Sequence, residues 1–327
     1  MFKDKNILVT GGTGSIGSEI VRKVLQYDPK VIRVFSNDEN GLFNLEQQLQ
    51  DYSNLRFLVG DIRDKERLKM AVESIDFIFH AAALKHVPIC EYNPFEAVKI
   101  NVIGTQNLIE VVIEAEAEKL ITISTDKAVN PVNVMGATKL IAERLTISAN
   151  YYKGARRTAF SCVRFGNVLD SRGSVVPLFR EQIKKGGPVT ITDPNMTRFV
   201  ISLPEAVELL LKATEAAQGG EIFVFKMPAL RIRDLAEVMI EQIAPQYGYN
   251  PESIEVRITG KREGEKDYEE LMAEEEARNA YELGEMFVLP QIPRQVSEEQ
   301  APQKRYISKD MPPLPKQEIK KLLKDIA

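Results

Sequence analysis

The sequence predicts an α/β protein built on a doubly wound parallel sheet. Three observations carry that prediction: short strands that are apolar throughout, amphipathic helical segments between them, and a glycine-rich turn after the first strand. Strands without polar alternation need both faces covered, which is what crossover helices provide. Asn6–Thr10 reads as the first buried strand. Residues 14–27 then set Ile16, Ile20, Val24 and Tyr27 at helical spacing. Val31–Phe35 is a second strand, with a helix around 41–51, and Leu55–Val59 a third, with a helix near 65–73. Phe77–Ala81 and Lys119–Ser124 are the fourth and fifth, separated by a long helical segment, and Ala159–Arg164 is the sixth.

After residue 165 the rhythm changes. Pro177, Pro188, Pro194 and Pro204 punctuate the chain, and Gly173, Gly186 and Gly187 add turns. A strand is expected at 221–226 and an amphipathic helix at 231–244. Residues 263–282 are Glu-rich, and 290–316 are rich in Pro and Gln, as expected of a tail laid over the surface. The resulting division assigns 1–165, with a return at about 200–225, to a nucleotide-binding half. Residues 166–199 and 226–327 form a smaller C-terminal α/β lobe with the tail.

Composition narrows the function classes. The chain has 327 residues, 44% hydrophobic and 28% charged, so a full core is available. A net charge of −4 argues against a mainly electrostatic nucleic-acid binder. Cys90 and Cys162 make no disulfide framework, and with His80 and His86 they show no metal-ligand spacing. No signal peptide and no membrane span are expected, which implies a cytoplasmic protein.

The first strand runs into Gly11-Gly12-Thr13-Gly14-Ser15-Ile16-Gly17, with Gly11, Gly14 and Gly17 spaced G-x-x-G-x-x-G. Glycines there allow a tight turn, close approach to a pyrophosphate and close packing of helix on strand, and the helix N-terminus offers free N–H groups to the anion. This is the Rossmann pattern for NAD or NADP. At the end of the second strand, Asp38 can bond an NAD ribose, Ser36 and Asn37 can instead accept an NADP phosphate, or Asp38 can simply cap the next helix. Asp61 and Ile62 are placed to bracket an adenine, and Ala81 and Ala82 to border the cofactor.

The fifth strand ends in Ser124-Thr125-Asp126-Lys127, followed by Asn130-Pro131 and Met135-Gly136-Ala137-Thr138-Lys139. Hydroxyl, carboxylate and ammonium groups there face the ligand crevice of such a sheet. The motifs His80–Pro88, Glu91–Pro94, Asn101 with Gly104-Thr105, Ser124–Ala128, Arg164–Val168, Ser171–Val175, Met196–Phe199 and Arg262–Lys266 resemble the extended short-chain dehydrogenase/reductase family. Within it, they are most similar to the UDP-N-acetylglucosamine 4,6-dehydratase group. One position departs from the wider pattern: Met135 stands where a catalytic tyrosine is usual, and a thioether carries no proton.

The resemblance implies a three-step reaction with a tightly bound, regenerated NAD or NADP. Hydride leaves sugar C4, a base takes the C5 proton, and the C6 hydroxyl leaves as water while hydride returns to C6. Lys139 would hold the nicotinamide ribose. Lys127 would be the C5 base, provided burial and a neighbouring cation such as Lys139 lower its pKa. Asp126, kept protonated by burial, would be the acid at C6. Asp126, or a water held by Thr125, would replace the missing phenol. For the substrate, the resemblance implies Asn167 near the phosphates and Ser174-Val175 with Pro188-Val189-Thr190 around the uridine. It gives Arg262 to the pyrophosphate and Glu265 to the ribose, with Arg198 and Lys85 in reach. It also implies a homo-oligomer. A nucleotide-sugar C4-epimerase or reductase, and a silent NAD(P)-binding regulator, are the competing readings.

Overall fold

The computed structural model describes residues 1–291 and 304–324. The elements run in chain order. The first crossovers are β1 (Asn6–Thr10), α1 (Ser15–Leu25), β2 (Val31–Ser36), α2 (Glu39–Gln48), β3 (Leu55–Val59), α3 (Lys65–Val72) and β4 (Phe77–His80). Then come α4 (Val87–Tyr92), α5 (Pro94–Ala97), a π-helical turn (Val98–Ile103), α6 (Gly104–Ala115), β5 (Lys119–Ile123), α7 (Val134–Tyr152) and β6 (Ala159–Arg164). The second half holds β7 (Asn167–Val168), α8 (Val175–Lys184), β8 (Val189–Ile191), β9 (Thr197–Ile201), α9 (Leu203–Ala216) and β10 (Glu221–Phe225). It ends with β11 (Ala229–Arg231), α10 (Ile232–Ile243), β12 (Val256–Ile258), β13 (Glu270–Met272), α11 (Glu274–Ala277), β14 (Tyr281–Leu283), β15 (Met286–Pro290), β16 (Tyr306–Ile307) and α12 (Lys316–Lys324).

The main sheet has nine strands in the order β14-β15-β10-β6-β5-β4-β1-β2-β3. From β3 to β10 every pairing is parallel, and the order reverses between β1 and β4, where such sheets open a ligand crevice. β1, β4 and β6 are buried along nearly their whole length because helices cover both faces. Side-chain caps start the helices: Asp38 Oδ1 accepts from Gly41 N at 2.9 Å for α2, and Asn133 Oδ1 from Gly136 N at 2.8 Å for α7.

Two expectations change. The hairpin β14–β15, which the sequence reading gave to the C-terminal lobe, pairs antiparallel with β10 and completes the large sheet. Its inward run Met286–Leu289 is buried, so it extends the main core. The expected surface tail is also more than a covering. Residues 292–303 lie outside the described residues, but β16 pairs with β13, and Ile307 and Ser308 are buried. α12 packs on α10 through Ile319 and Leu323. The second half contributes a three-stranded sheet β11-β9-β7, a β8–β12 pair and its own apolar cluster around Phe179, Leu235 and Met239.

Candidate active site

Two cavities lie along the carboxyl ends of the strands. The first, of about 220 Å³, is bordered by Gly11, Thr13, Gly14, Ser36, Asn37, Asp38, Asp61, Ile62, Ala81, Ala82 and Arg172. Its floor is a glycine cradle. Gly11 has φ +64°, and a Cβ there would come within 2.7 Å of the Ala82 backbone; one on Gly17 would meet Gly11 O at 2.3 Å. Ser15, at the start of α1, turns its hydroxyl to accept from Arg172 N at 3.0 Å. Ile16 packs against the main core. Thr13 and Ser36 hydroxyls are 2.8 Å apart, and Asp38 N donates to Ser36 Oγ at 3.2 Å. The Asp38 carboxylate both caps α2 and faces the Arg172 guanidinium at 3.8 Å. Asp61 is held below its ordinary pKa, chiefly by the Arg63 side chain that bonds it. The close backbone approach and the free start of α1 fit a dinucleotide pyrophosphate.

The second cavity, of about 550 Å³, includes Asn167, Ser174, Val175, Thr190, Arg198, Arg262 and Glu265 in its wall. Ser174 Oγ is buried and has no hydrogen-bond partner among the described residues. A buried orphan hydroxyl in a cavity wall is what a polar ligand would satisfy. Glu265 is less free than expected of a ribose ligand: it accepts from Thr192 Oγ1 at 3.2 Å and Arg262 N at 3.1 Å. Thr190 is locked to Gln182 by two hydrogen bonds. Val189 is fully buried in the apolar cluster and, with Pro188, stays out of this wall. Lys85 borders neither of these cavities; its ammonium donates to Arg172 O at 2.6 Å.

Beside the larger cavity stands an acid–base cluster. Asp126, 1% exposed, opens the turn after β5, where its N–H donates to Phe165 O at 3.2 Å. Thr125 Oγ1 donates to Asp126 Oδ1 at 2.6 Å. Lys127 Nζ lies 3.0 Å from Asp126 Oδ1 and 3.1 Å from Glu269 Oε1. Asn167 Nδ2 reaches Glu269 Oε2 at 2.7 Å, and Arg198 Nε stands 3.5 Å from Glu269 Oε1, so the cluster adjoins the larger cavity through these two residues.

The electrostatics run opposite to the expectation for resting Lys127 and Asp126. Burial alone would lower the Lys127 pKa, but the Asp126 and Glu269 carboxylates outweigh it and raise the value. The neighbouring cation is Arg198 rather than Lys139. Burial alone would raise Asp126, yet Lys127 and hydrogen bonds from Glu269 and Thr125 bring it down. Burial, reinforced by the Asp126 charge, pushes Glu269 up to about 7. Glu269, rather than Asp126, is therefore the carboxyl of the cluster that gains or loses its proton near neutrality. Lys139 is lowered to about 8 by burial, and its ammonium donates to Ile123 O at 2.6 Å. Met135 packs with Cys90 and Ala97 and borders neither of these cavities, so the position of the usual phenol is filled by apolar contact. His80, bonded to Thr10 and Thr105, is a buried neutral ring lowered to about 3 by burial.

Sequence reading missed Arg172 and Glu269. Arg172 sits inside the Ser171–Val175 motif but reaches back to Thr13 O. Glu269 lies three residues past Arg262–Lys266, where nothing in spacing separates it from neighbouring Glu residues.

A doubly wound sheet with a glycine cradle on one side and a half-buried lysine between two buried carboxyls beside a second cavity defines a short-chain dehydrogenase/reductase-type protein. Residues 7–291 match the family described as polysaccharide biosynthesis protein, and the chain belongs to that family. An uncharacterized membrane protein of Methanocaldococcus jannaschii is 64% identical over 100% of this chain and 97% of its own. No helix among the described residues here is long and apolar enough to cross a membrane. A UDP-N-acetylglucosamine 4,6-dehydratase (inverting) of Campylobacter jejuni is 43% identical over 88% of this chain and 84% of its own. A UDP-glucose 4-epimerase of Rickettsia typhi is 41% identical over 89% and 84%. The X-ray structure of Pen from Bacillus thuringiensis superposes with a TM-score of 0.93, at 46% identity, over 99% of this chain and 98% of that one.

Proposed function

We propose that the protein is an NAD- or NADP-dependent nucleotide-sugar 4,6-dehydratase acting on UDP-N-acetylglucosamine, as the dehydratase relative's name suggests. The observation that carries this reading is the Asp126–Lys127–Glu269 cluster. An epimerase needs only one group to move the C4 hydroxyl proton, whereas a dehydratase must also move protons at C5 and at the C6 oxygen. Three titratable groups in contact, with a thioether at Met135, suit the second task. The bound nicotinamide would supply the hydride acceptor for C4 and the donor for C6. Gly11, Gly14 and Thr13 would hold its diphosphate, and Lys139 its ribose. Asp126, ionised and joined to Thr125, would take the C4 hydroxyl proton and hand it to the departing C6 oxygen. Lys127 would take the C5 proton. Arg198 and Arg262 would meet the substrate diphosphate, since a guanidinium fork suits phosphate oxygens, with Ser174 as a further donor.

The epimerase reading is favoured by the names of Rickettsia relatives. Incubation with UDP-N-acetylglucosamine separates the readings by mass. Loss of one water, with no continuing need for added NAD(P)⁺, is the expected result. Unchanged mass with an altered sugar would establish epimerisation, and binding without turnover would leave a silent regulator.

A further inference from the structure

Glu269 belongs to none of the motifs that carry the family resemblance, yet it is bonded on every side of the reacting cluster. It is 4% exposed. Oε1 accepts from Lys127 Nζ at 3.1 Å and faces Arg198 Nε at 3.5 Å. Oε2 accepts from Asn167 Nδ2 at 2.7 Å and from Phe199 N at 3.2 Å. Its own N–H donates to Ser308 Oγ at 2.9 Å, which ties its position to the segment after residue 304. The charged groups acting on it are Asp126 and Lys127 from the turn after β5, Arg198 from β9, and Lys266 from the turn before β13.

A lysine held between two carboxyls is a poor base, because it rests as an ammonium. To take a proton from C5, Lys127 must first release one, and its ion-pair partners are Asp126 and Glu269. Asp126 is the stronger acid of the two and so the worse acceptor. We propose that Glu269 is a positioning residue that stores the resting proton of Lys127 while Lys127 serves as the C5 base. This inference rests on the dehydratase reading.

The protons balance without an outside donor. A Lys127 N–H bond breaks as a Glu269 O–H bond forms, leaving an amine beside an acid. The amine takes the C5 proton, and the C5–H electron pair becomes the C5=C6 bond as C6–O breaks. The leaving oxygen receives from Asp126 the proton that Asp126 had taken from the C4 hydroxyl, and departs as water. Lys127 returns its proton to C5 as hydride enters C6, and Glu269 then restores the ammonium. Each residue ends as it began.

The pH dependence follows with a definite sign. When Glu269 is already protonated, Lys127 has no acceptor, so C5 chemistry falls as pH drops through the Glu269 value of about 7. The test follows C5 deuterium exchange and product formation by proton NMR against pH, beside single-turnover NAD(P)H absorbance, in the full-length protein. Glu269→Gln should lose the acid limb near neutrality and slow exchange by ~10²–10⁴-fold at neutral pH. Cofactor reduction by C4 should persist, and Glu269→Asp should regain a limb. An unchanged limb in Glu269→Gln overturns the proposal. Should that variant fail to fold, Asn167→Leu removes one donor to the carboxylate, so the limb should move to higher pH, and an unmoved limb overturns the proposal equally. If unmodified enzyme releases no water from UDP-N-acetylglucosamine, the dehydratase reading fails and this inference fails with it. If water is released but the limb ignores both substitutions, only the inference fails.

Discussion

The glycine loop and the lysine cluster occupy the same edge of one sheet but are assembled differently. The loop spans residues 11–17, from the end of β1 into the first turn of α1, and its shape comes from three glycines in local contact. The cluster joins Lys127 to Glu269, 142 residues further on, and Glu269 in turn to Asn167, Phe199 and Ser308. A continuous motif can be read by spacing alone, because its geometry is a property of consecutive backbone. A site collected from five segments depends on where β7, β9, β13 and β16 come to lie, and no local signal carries that.

The difference is sharpest in what each region loses on mutation. Lys127→Ala should give the largest effect. Dehydration and C5 exchange should fall by ~10²–10⁴-fold, the worth of a positioned base, while oxidation at C4 continues and NAD(P)H absorbance accumulates in a single turnover. Deuterium entering C5 at the unmodified rate would make the ammonium a ligand only, and the cluster would no longer be the reacting region.

The local region should answer more weakly and in a different measurement. A methyl on Gly17 meets Gly11 O at 2.3 Å and Gly12 Cα at 2.8 Å, both backbone, so the loop itself must shift. Overpacking of that kind costs about 1–3 kcal/mol. Gly17→Ala should therefore weaken dinucleotide binding in calorimetry by up to that amount, with UDP affinity unaffected. Equal loss of UDP affinity would show the two cavities to be one cooperative unit and would end the comparison.

The same contrast explains how much was legible in the sequence. The parallel strands, the crossover helices and the glycine-rich turn were foreseen, because apolar runs and glycine spacing are local. The β14–β15 hairpin was assigned to the wrong side, since its apolar run Met286–Leu289 says that it is buried but not against which partner. The charge states of Asp126 and Lys127 were reversed because their own ion pair, and Glu269 beside it, were missing from the account. Burial was credited with shifting both groups, whereas the charge pair they form with each other, reinforced by Glu269, outweighs it. Arg164 gives a parallel case. Its fully buried guanidinium bonds Glu143, Glu276 and Leu271 O, joining β6 to α7 and to the chain around α11, although the sequence offered it only as part of a motif.

Arg172 crosses the boundary between the two regions, and it yields the smallest predicted effect. It comes from the second half, two residues before Ser174 of the larger cavity's wall, yet its N–H donates to Ser15 Oγ and its guanidinium reaches Thr13 O and faces Asp38. Its side chain is 64% exposed, and an exposed ion pair contributes only about 0–1 kcal/mol. Arg172→Ala should then speed dinucleotide release by at most about fivefold, the rate equivalent of ~1 kcal/mol, with little change in thermal stability. The measurement is stopped-flow release of the reduced cofactor, monitored by its fluorescence. Its value lies in the substrate dependence. Where Arg172 links the halves, added UDP should slow release in the unmodified protein and not in the variant. Where release ignores UDP in both, the cradle works alone, and the continuous region owes nothing to the assembled one.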